Sequence, residues 1–507
     1  MPSLNVLDLG FDIFEHTISY LVSEGIRNVI GLSEVSRQMR QYTLPVMFSS
    51  VQWPKGYETD FFPPSLWPYI KALEFVSSNV PPLALQHKAC TETLSEALPQ
   101  LPNLVTFVYV AKMPPTVNFI AALAFCSSLH SLRLSTPCLI HDASTVFHSF
   151  HSIRRLVIEQ VGQATLYSAP ASKRAISLQC VASILQGCSD TLEYLEIPGE
   201  YCPLADLHSQ TISLPQLRSF ILRGLPPLEL DSEKYPLGAI VHTMKNLNVL
   251  EVHCKLRIIG AVPHRYELLP ANAPSHQLEF SFSQIESIVI SNPSLSDRIF
   301  ERLPLSLRYL TLDFIPNWEN MLSSGDTLAY HKPEKLIQLF DLMGSAAVLP
   351  SSRPSLEQLC IKMGRCVTPE ILQAIYQIFP GLRELELQGI QYFNRTEEPE
   401  SDMEKIVACL RKFKHLHTLK LAVELRENSY HEDLAAARNI GSVDEAMNHW
   451  AHILQEQLSS LRKLAFEKRR HTGKGYGRRA AIGEPLWVWF TRPFPDSGDP
   501  ALGAVKN

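Results

Sequence analysis

The sequence predicts an α/β solenoid in which strand-and-helix units stack side by side, with a curved parallel sheet inside and helices outside. The first observation is a six-residue phrase with leucine or another apolar residue at positions one, four and six. The phrase recurs about thirteen times between Ile70 and Phe466, at steps of 22 to 49 residues. The second is a helical apolar pattern in several segments between the phrases. Together they predict an irregular leucine-rich-repeat solenoid.

Each phrase is expected to form a strand whose positions one, four and six turn inward against the next coil, while position five turns outward. One coil alone cannot bury its apolar side, so the coils must stack. Regular repeats place Asn or Cys three residues after position six, but three copies here hold Pro137, Lys255 and Ile390. We therefore expect uneven coils, with loops near residues 255–280, 315–334, 393–402 and 424–444.

Four helices are predicted between phrases. Thr368, directly before a proline, is typical of a helix start. Ser401 and Glu404 have the spacing of a capping box. Apolar residues at helical spacing in 336–343 and 447–458 predict two more helices. Such apolar stripes could line a groove for a partner helix, but a core role on the outer side of the solenoid is favoured.

The composition favours a protein partner. The chain has 46 Lys and Arg against 51 Asp and Glu, a net charge of -5, so nothing draws it as a whole to nucleic acid or to an anionic membrane. Its ten cysteines are scattered and are interpreted as reduced core residues, which favours the cytoplasm or the nucleus. Asp8, Asp12 and Glu15 argue against a secretory signal, and no apolar run is long enough to span a membrane.

No catalytic constellation is found, and we expect a non-catalytic protein without cofactor or metal. The glycine-rich segment 473–477 does not follow a strand and is interpreted as a flexible turn. The pairs His148 and His151, and His415 and His417, have no cysteine or carboxylate at metal-ligand spacing. Function should therefore reside in a binding surface.

The outward position five of the phrases is the predicted ligand surface. Its charged members include Glu196, Glu251, Glu386 and Lys420. The whole row mixes charged, apolar and small residues, whereas a nucleic-acid surface would be continuously basic and aromatic. A protein or peptide target on this concave face is the better interpretation.

The C-terminal part begins with a basic segment, 462–479, that holds eight Lys or Arg against Glu467. It could be a nuclear-import signal, a contact for an acidic partner or a solvated turn, and the sequence leaves these open. The apolar run Leu486–Phe490 predicts a strand that folds back over the last coil near Leu464 and Phe466.

The segment before the first phrase has a different character, with helical apolar spacing. Its apolar pattern, followed by Val35-Ser-Arg37 and a second arginine, resembles an F-box over about residues 6–53. Gly10 stands where this family has proline, and about three extra residues lie between residues 23 and 26. The residues at the apolar positions of the motif are Leu9, Ile13, Ile18, Leu21, Val29, Leu32 and Val35.

This resemblance implies an F-box-like helical domain at 1–55. The repeated phrase and the C-terminal pattern predict a solenoid of about 13 repeats at 56–466 and a basic turn with a capping strand at 467–507. F-box proteins dock on the adaptor subunit of an SCF-type cullin-RING ubiquitin ligase, while their repeats hold the target. The resemblance therefore implies a substrate-recognition subunit. The alternative is a leucine-rich-repeat scaffold without a ligase, whose helical segment only caps the first coil.

Overall fold

The structure is a computed structural model. It describes residues 16–18, 20–21, 27–54, 60–77, 83–111, 113–135, 144–159, 171–227, 234–255, 257–259, 262–271, 284–313, 315, 333–345, 354–363, 367–389, 402–423, 443–468 and 486–491.

The strands among these residues are β1 (Ser50–Trp53), β2 (Ala72–Ser77), β3 (Thr106–Ala111), β4 (Ser131–Ser135), β5 (Arg155–Glu159), β6 (Tyr194–Pro198), β7 (Ser219–Gly224), β8 (Val249–Cys254), β9 (Arg257–Ile259), β10 (Val262–His264), β11 (Ser287–Ser291), β12 (Tyr309–Asp313), β13 (Gln358–Met363), β14 (Glu384–Gly389), β15 (Thr418–Leu421), β16 (Lys463–Lys468) and β17 (Leu486–Thr491).

The α-helices are α1 (Arg27–Val35), α2 (Arg37–Met47), α3 (Leu83–Ala97), α4 (Val117–Ala124), α5 (Ser144–Phe147), α6 (Ala171–Gly187), α7 (Leu204–His208), α8 (Leu237–Val241), α9 (Pro333–Ser345), α10 (Pro369–Ile378), α11 (Met403–Leu410) and α12 (Val443–Gln457). Short 3-10 helices lie at Pro64–Tyr69, Leu98–Gln100, Gly199–Tyr201 and Arg298–Glu301.

Fifteen of the described strands form a mostly parallel sheet in which the strand order follows the chain, while β9 and β10 pair separately. With the helices between the strands, this is the predicted α/β repeat fold. The chain divides into two compact units. The first comprises residues 1–220 with 243–246, and the second comprises 221–242 with 247–507.

The repeated phrase forms strands as predicted. Each of the thirteen phrases places positions four to six in a strand, and the residues at positions one, four and six are at most 3% exposed in every copy. Full burial of a leucine or isoleucine side chain contributes about 1.5–3 kcal/mol relative to leaving it exposed. These positions therefore supply the main apolar core of both units.

In the first unit, β1 to β6 pair in parallel, each with the next strand along the chain. An aromatic cluster joins the sheet to the helices, since Phe119 of α4 lies 6.1 Å from Phe75 and 5.7 Å from Phe107 between ring centroids. Thr116 caps α4 by accepting a hydrogen bond from the backbone N–H of Phe119. The sheet begins with β1, which lies inside the range predicted for the helical domain.

In the second unit, β8 and β11 to β16 pair in parallel. The strand predicted at the C-terminal apolar run is present as β17, and it pairs antiparallel with β16. Phe466 faces Phe490 with ring centroids 5.9 Å apart. Thr368 caps α10 by accepting from the N–H of Ile371, and the predicted apolar stripe of α9 is buried.

Two local predictions need correction. The cap of α11 is Asp402 rather than Ser401, because the Asp402 carboxylate accepts from the N–H of Lys405 at 3.1 Å and also pairs with the Lys405 ammonium. The loop predicted at 255–280 contains the β9–β10 hairpin. Asparagines bridge neighbouring coils at other positions; Asn292, two residues after position six, donates through its amide to the carbonyl oxygens of Cys254 and Ile315, each at 2.9 Å.

Candidate binding surfaces

The outward row of the first unit lies in register across the strands. Glu74, Val108, Arg133, Val157 and Glu196 are successive partners from β2 to β6. Position five therefore faces one common side of the sheet, as strand alternation requires. A ligand crossing these strands would meet the row at Glu74, Val108 and Arg133, whereas Val157 and Glu196 are buried.

Two polar clusters occupy this face of the first unit. The Arg133 guanidinium donates to both carboxylate oxygens of Glu159, and Ser135 donates to the same carboxylate at 2.6 Å. In the second cluster the Arg155 guanidinium lies 3.6 Å from the centre of the Tyr194 ring. Paired side chains of this kind are held in fixed positions, which suits the recognition of a defined partner.

Glu196, one of the predicted contact residues, is 8% exposed. Its carboxylate accepts a hydrogen bond from the Tyr194 hydroxyl at 2.7 Å. Hydrogen bonding to Glu196 is one cause of the raised pKa of Tyr194, after burial. Glu196 therefore positions Tyr194 under Arg155, and its own surface available to a ligand is small.

The outward row of the second unit is also in register. Across β8 and β11 to β17 the successive partners are Glu251, Val289, Thr311, Cys360, Glu386, Lys420, Ala465 and Trp489. Three predicted contact residues, Glu251, Glu386 and Lys420, therefore share one face. The thiol of Cys360 in this row is buried, which raises its pKa to about 12, so it stays protonated at neutral pH and is a poor nucleophile.

A second charged row lies beside the outward row of the second unit, at the residue directly after position six of each phrase. His253 Nε2 lies 2.8 Å from Glu251 Oε2, and His253 Nδ1 lies 3.7 Å from Asp313 Oδ2. Asp313 in turn pairs with the Lys362 ammonium at 2.8 Å. Carboxylates therefore alternate with nitrogen groups along the face of these strands.

The environment of His253 shifts the pKa of two groups. Burial lowers the pKa of His253, but hydrogen bonds to Asp313 and Glu251 outweigh burial and leave the pKa raised. The hydrogen bond from His253 is the main cause of the lowered pKa of Glu251. The electrostatics of this face therefore depend on pH near the ordinary range of histidine.

Sequence reasoning missed His253, Asp313 and Lys362. The signal was available, because the residue directly after position six has the same strand orientation as position five. Position five alone therefore does not describe the charged face. The two tryptophans of β17, Trp487 and Trp489, were predicted only to cap the last coil.

At the other end of the chain, a small core forms among the described residues of the helical segment. Ile18 and Val29 are buried at its centre, with Leu21 partly buried against them. Leu32 is partly buried, while Val35 is 71% exposed. The predicted contact residues Leu9 and Ile13 lie outside the described residues.

A groove of about 480 Å³ lies between α11 and α12 of the second unit. Its lining includes the apolar residues Val407, Trp450 and Ile453 and the charged residues Glu404 and Arg411. The side chains of Met447 and Leu454 on α12 are buried, so most of the predicted stripe is core. Trp450 and Ile453 are the half-exposed members of that stripe.

The described residues contain no group of three or more His, Cys, Asp or Glu side chains arranged to hold a metal ion. None of the helices that the structure describes has the length and apolar character needed to span a bilayer. The two histidine pairs of the sequence lie at the surface: His148, His151 and His415 are exposed, and His417 is half-buried.

No family model matches the chain, and no curated protein matches it. Among solved structures, the chain is similar to a crystal structure of a Rad7 and Elc1 complex in yeast, with 14% identity and a TM-score of 0.34, covering 77% of this chain and 90% of that one. It is also similar to a crystal structure of a TLR13–ssRNA13 complex, with 12% identity and a TM-score of 0.24. That match covers 74% of this chain and 57% of the other.

Proposed function

We propose that the chain is a non-catalytic substrate-recognition subunit of an SCF-type cullin-RING ubiquitin ligase. Its helical segment docks on the adaptor subunit, and the outward face of its strands binds the target protein. The observation that carries this proposal is the exposure of Tyr20, Ile30 and Val35 in the segment that resembles an F-box, at 62%, 41% and 71%.

These exposed side chains are concentrated. Among the described residues nine large apolar side chains are exposed, and three of them lie between residues 20 and 35. A segment that only shielded the first coil would turn such side chains inward, as Ile18 and Val29 do. We propose that they contribute to one apolar patch, since such patches on a surface are typical of a protein interface.

The strand face supports the second half of the proposal. Several of its charged groups are paired, among them Arg133 with Glu159 and Lys420 with Glu386, so they are fixed before a partner arrives. Preorganised groups lose less freedom on binding. The mixture of opposite charges and aromatic side chains suits a protein target better than nucleic acid. We assign the protein to the cytoplasm or the nucleus, where its cysteines would stay reduced. Seven of the eight described cysteines are buried.

One observation favours the alternative, a repeat scaffold without a ligase. Helix α2 leads within three residues into β1, which pairs in parallel with β2. Trp53 of β1 is buried in the core of the first unit. The helical segment is therefore continuous with the sheet, as a structural cap would be.

A binding assay with the purified ligase adaptor distinguishes the two functions. Ile30→Asp and Val35→Asp should each weaken adaptor binding at least about tenfold, because each removes apolar burial worth about 1.5–3 kcal/mol. Phe125→Asp and Leu305→Asp are the matched controls, since these exposed side chains lie elsewhere, and both should bind like wild type.

Two results would count against this assignment. If the wild-type chain does not bind the adaptor, the ligase function is wrong and the scaffold remains. If the wild type binds but all four variants bind equally well, the docking surface does not include Ile30 and Val35. Circular dichroism of each variant establishes that the helical content is unchanged.

A further inference from the structure

Two tryptophans and a carboxylate converge on one ammonium group in the second unit. The Lys420 Nζ lies 5.6 Å from the ring centre of Trp487 and 5.4 Å from that of Trp489, over both rings. The same nitrogen is 2.8 Å from Glu386 Oε2. We call the group of Glu386, Trp487 and Trp489 the indole–carboxylate cage.

The strand register explains why these groups meet. Glu386, Lys420, Ala465 and Trp489 are successive partners on four neighbouring strands. Trp487 precedes Trp489 by two residues, so it emerges on the same face of β17. Ala465 lies between the lysine and Trp489, and its small side chain leaves room for the ammonium to reach the indoles across one strand.

The cage is built for a cation. The face of an indole ring carries negative charge density and attracts ammonium and guanidinium groups within about 6 Å. The Glu386 carboxylate adds a full negative charge, and its side chain is 15% exposed, so water screens it weakly. Both tryptophans are half-buried rather than sealed in the core.

We propose that the cage binds an arginine or lysine side chain of the target protein and that Lys420 is an internal occupant which this side chain displaces. The term target rests on the proposed function, whereas the site itself does not depend on adaptor binding. The exchange replaces one cation by another, so Glu386 is never left buried without a positive partner. The Lys420 side chain is 24% exposed, and its flexible stem gives it a path to solvent.

Removing the internal occupant tests the proposal. The full chain with Lys420→Met is titrated with N-acetyl-arginine amide, and the quenching of tryptophan fluorescence is followed. The dissociation constant should be at least about tenfold lower than for wild type, because the probe no longer competes with a tethered ammonium. N-acetyl-citrulline amide, which is neutral and has almost the same shape, should bind neither protein.

Three variants control this measurement. Lys362→Met also removes a lysine paired with a carboxylate at 2.8 Å on the same face, and it should leave probe binding at the wild-type level. Glu386→Gln or Trp489→Phe, each added to Lys420→Met, should weaken probe binding again. If Lys420→Met is too unstable to titrate, Lys420→Gln replaces it, since its amide can still donate to Glu386.

A Lys420→Met protein that folds and shows no saturable response to the arginine probe overturns the proposal, and the lysine then only stabilises β17. An equal response to the citrulline probe also overturns it, because the site would be apolar rather than cationic. Lys420→Met should bind the ligase adaptor as well as wild type does. Probe binding therefore tests the cage, and adaptor binding separately tests the proposed ligase function.

Discussion

A buried carboxylate in the second unit makes a pH-dependent prediction. Asp297 accepts three backbone hydrogen bonds, from the N–H of Leu268 through Oδ2 at 2.8 Å and from the N–H groups of Leu269 and Ile299 through Oδ1 at 3.0 and 3.1 Å. In Asp297→Asn the amide oxygen can still accept from the N–H groups of Leu269 and Ile299. Its NH₂ group faces the N–H of Leu268, so that donor loses its partner.

The magnitude follows from the pKa of Asp297. Burial raises this pKa from 3.8 to about 6, although the three N–H donors oppose the rise. The folded chain therefore holds a proton that the unfolded chain releases in this range. The resulting stabilisation is present at low pH and is lost as the pH rises through about 6. Between pH 7 and pH 4 it amounts to about 2 kcal/mol, which Asp297→Asn lacks.

Hydrogen exchange at the amides of Leu268 and Leu269 measures this local stability. The ratio of the exchange rate in Asp297→Asn to that in wild type cancels the chemical pH dependence of exchange. This ratio should rise about 30-fold from pH 7 to pH 4, the equivalent of about 2 kcal/mol. A ratio that stays constant, or falls, as the pH is lowered would refute the reasoning, because the folded carboxyl would then have an ordinary or lowered pKa.

Three further predictions concern single residues. Burial lowers the pKa of His87, so the melting temperature of the wild type should fall as pH drops below about 6.5. In His87→Phe this decrease in melting temperature should be smaller. The raised pKa of His253 has the opposite effect: protonated His253 stabilises the second unit below about pH 6.5, and this stabilisation is lost as pH rises through the pKa of the folded state. His253→Gln should abolish this pH dependence in the same measurement. Gly187→Ala should lower the free energy of urea unfolding of the first unit by about 1–3 kcal/mol, since the added Cβ would lie 2.7 Å from the Phe147 carbonyl oxygen. Gly31→Ala is the control, because a Cβ there meets nothing within 4 Å and should not destabilise the protein.

The stacked strands were predictable because one local rule is repeated thirteen times. In the phrase that begins at Leu382, positions four and six are Leu385 and Leu387, and all three residues are at most 1% exposed. A parallel neighbour with the same phrase must align leucine with leucine, since any slip by one residue would turn apolar side chains outward. Position five is then fixed on the opposite face, so Glu386 and Lys420 could be predicted as neighbours without coordinates.

Local competition between side chains limited the other predictions. Ser401 and Asp402 are adjacent, and both residue types are good helix caps, so the capping-box spacing pointed to the wrong one. Asp402 prevails because its charge also pairs with Lys405, whose ammonium lies 2.8 Å away. Glu196 occupies the outward position five, yet Tyr194 on the same strand covers it through a hydrogen bond. Periodicity gives the direction of a side chain but not what lies above it.

The indole–carboxylate cage shows why the most specific part of the face could not be read from the repeat. Along the parallel strands, the row through Glu386, Lys420 and Ala465 follows from the phrase itself. The strand β17 carries no phrase and runs antiparallel, so the repeat does not fix its register. A shift of β17 by one residue would place Val488 instead of Trp489 beside Ala465 and turn both indoles to the other face. The cage therefore exists only because the chain reverses direction in one particular register, and a binding site of this kind belongs to the end of the repeat array.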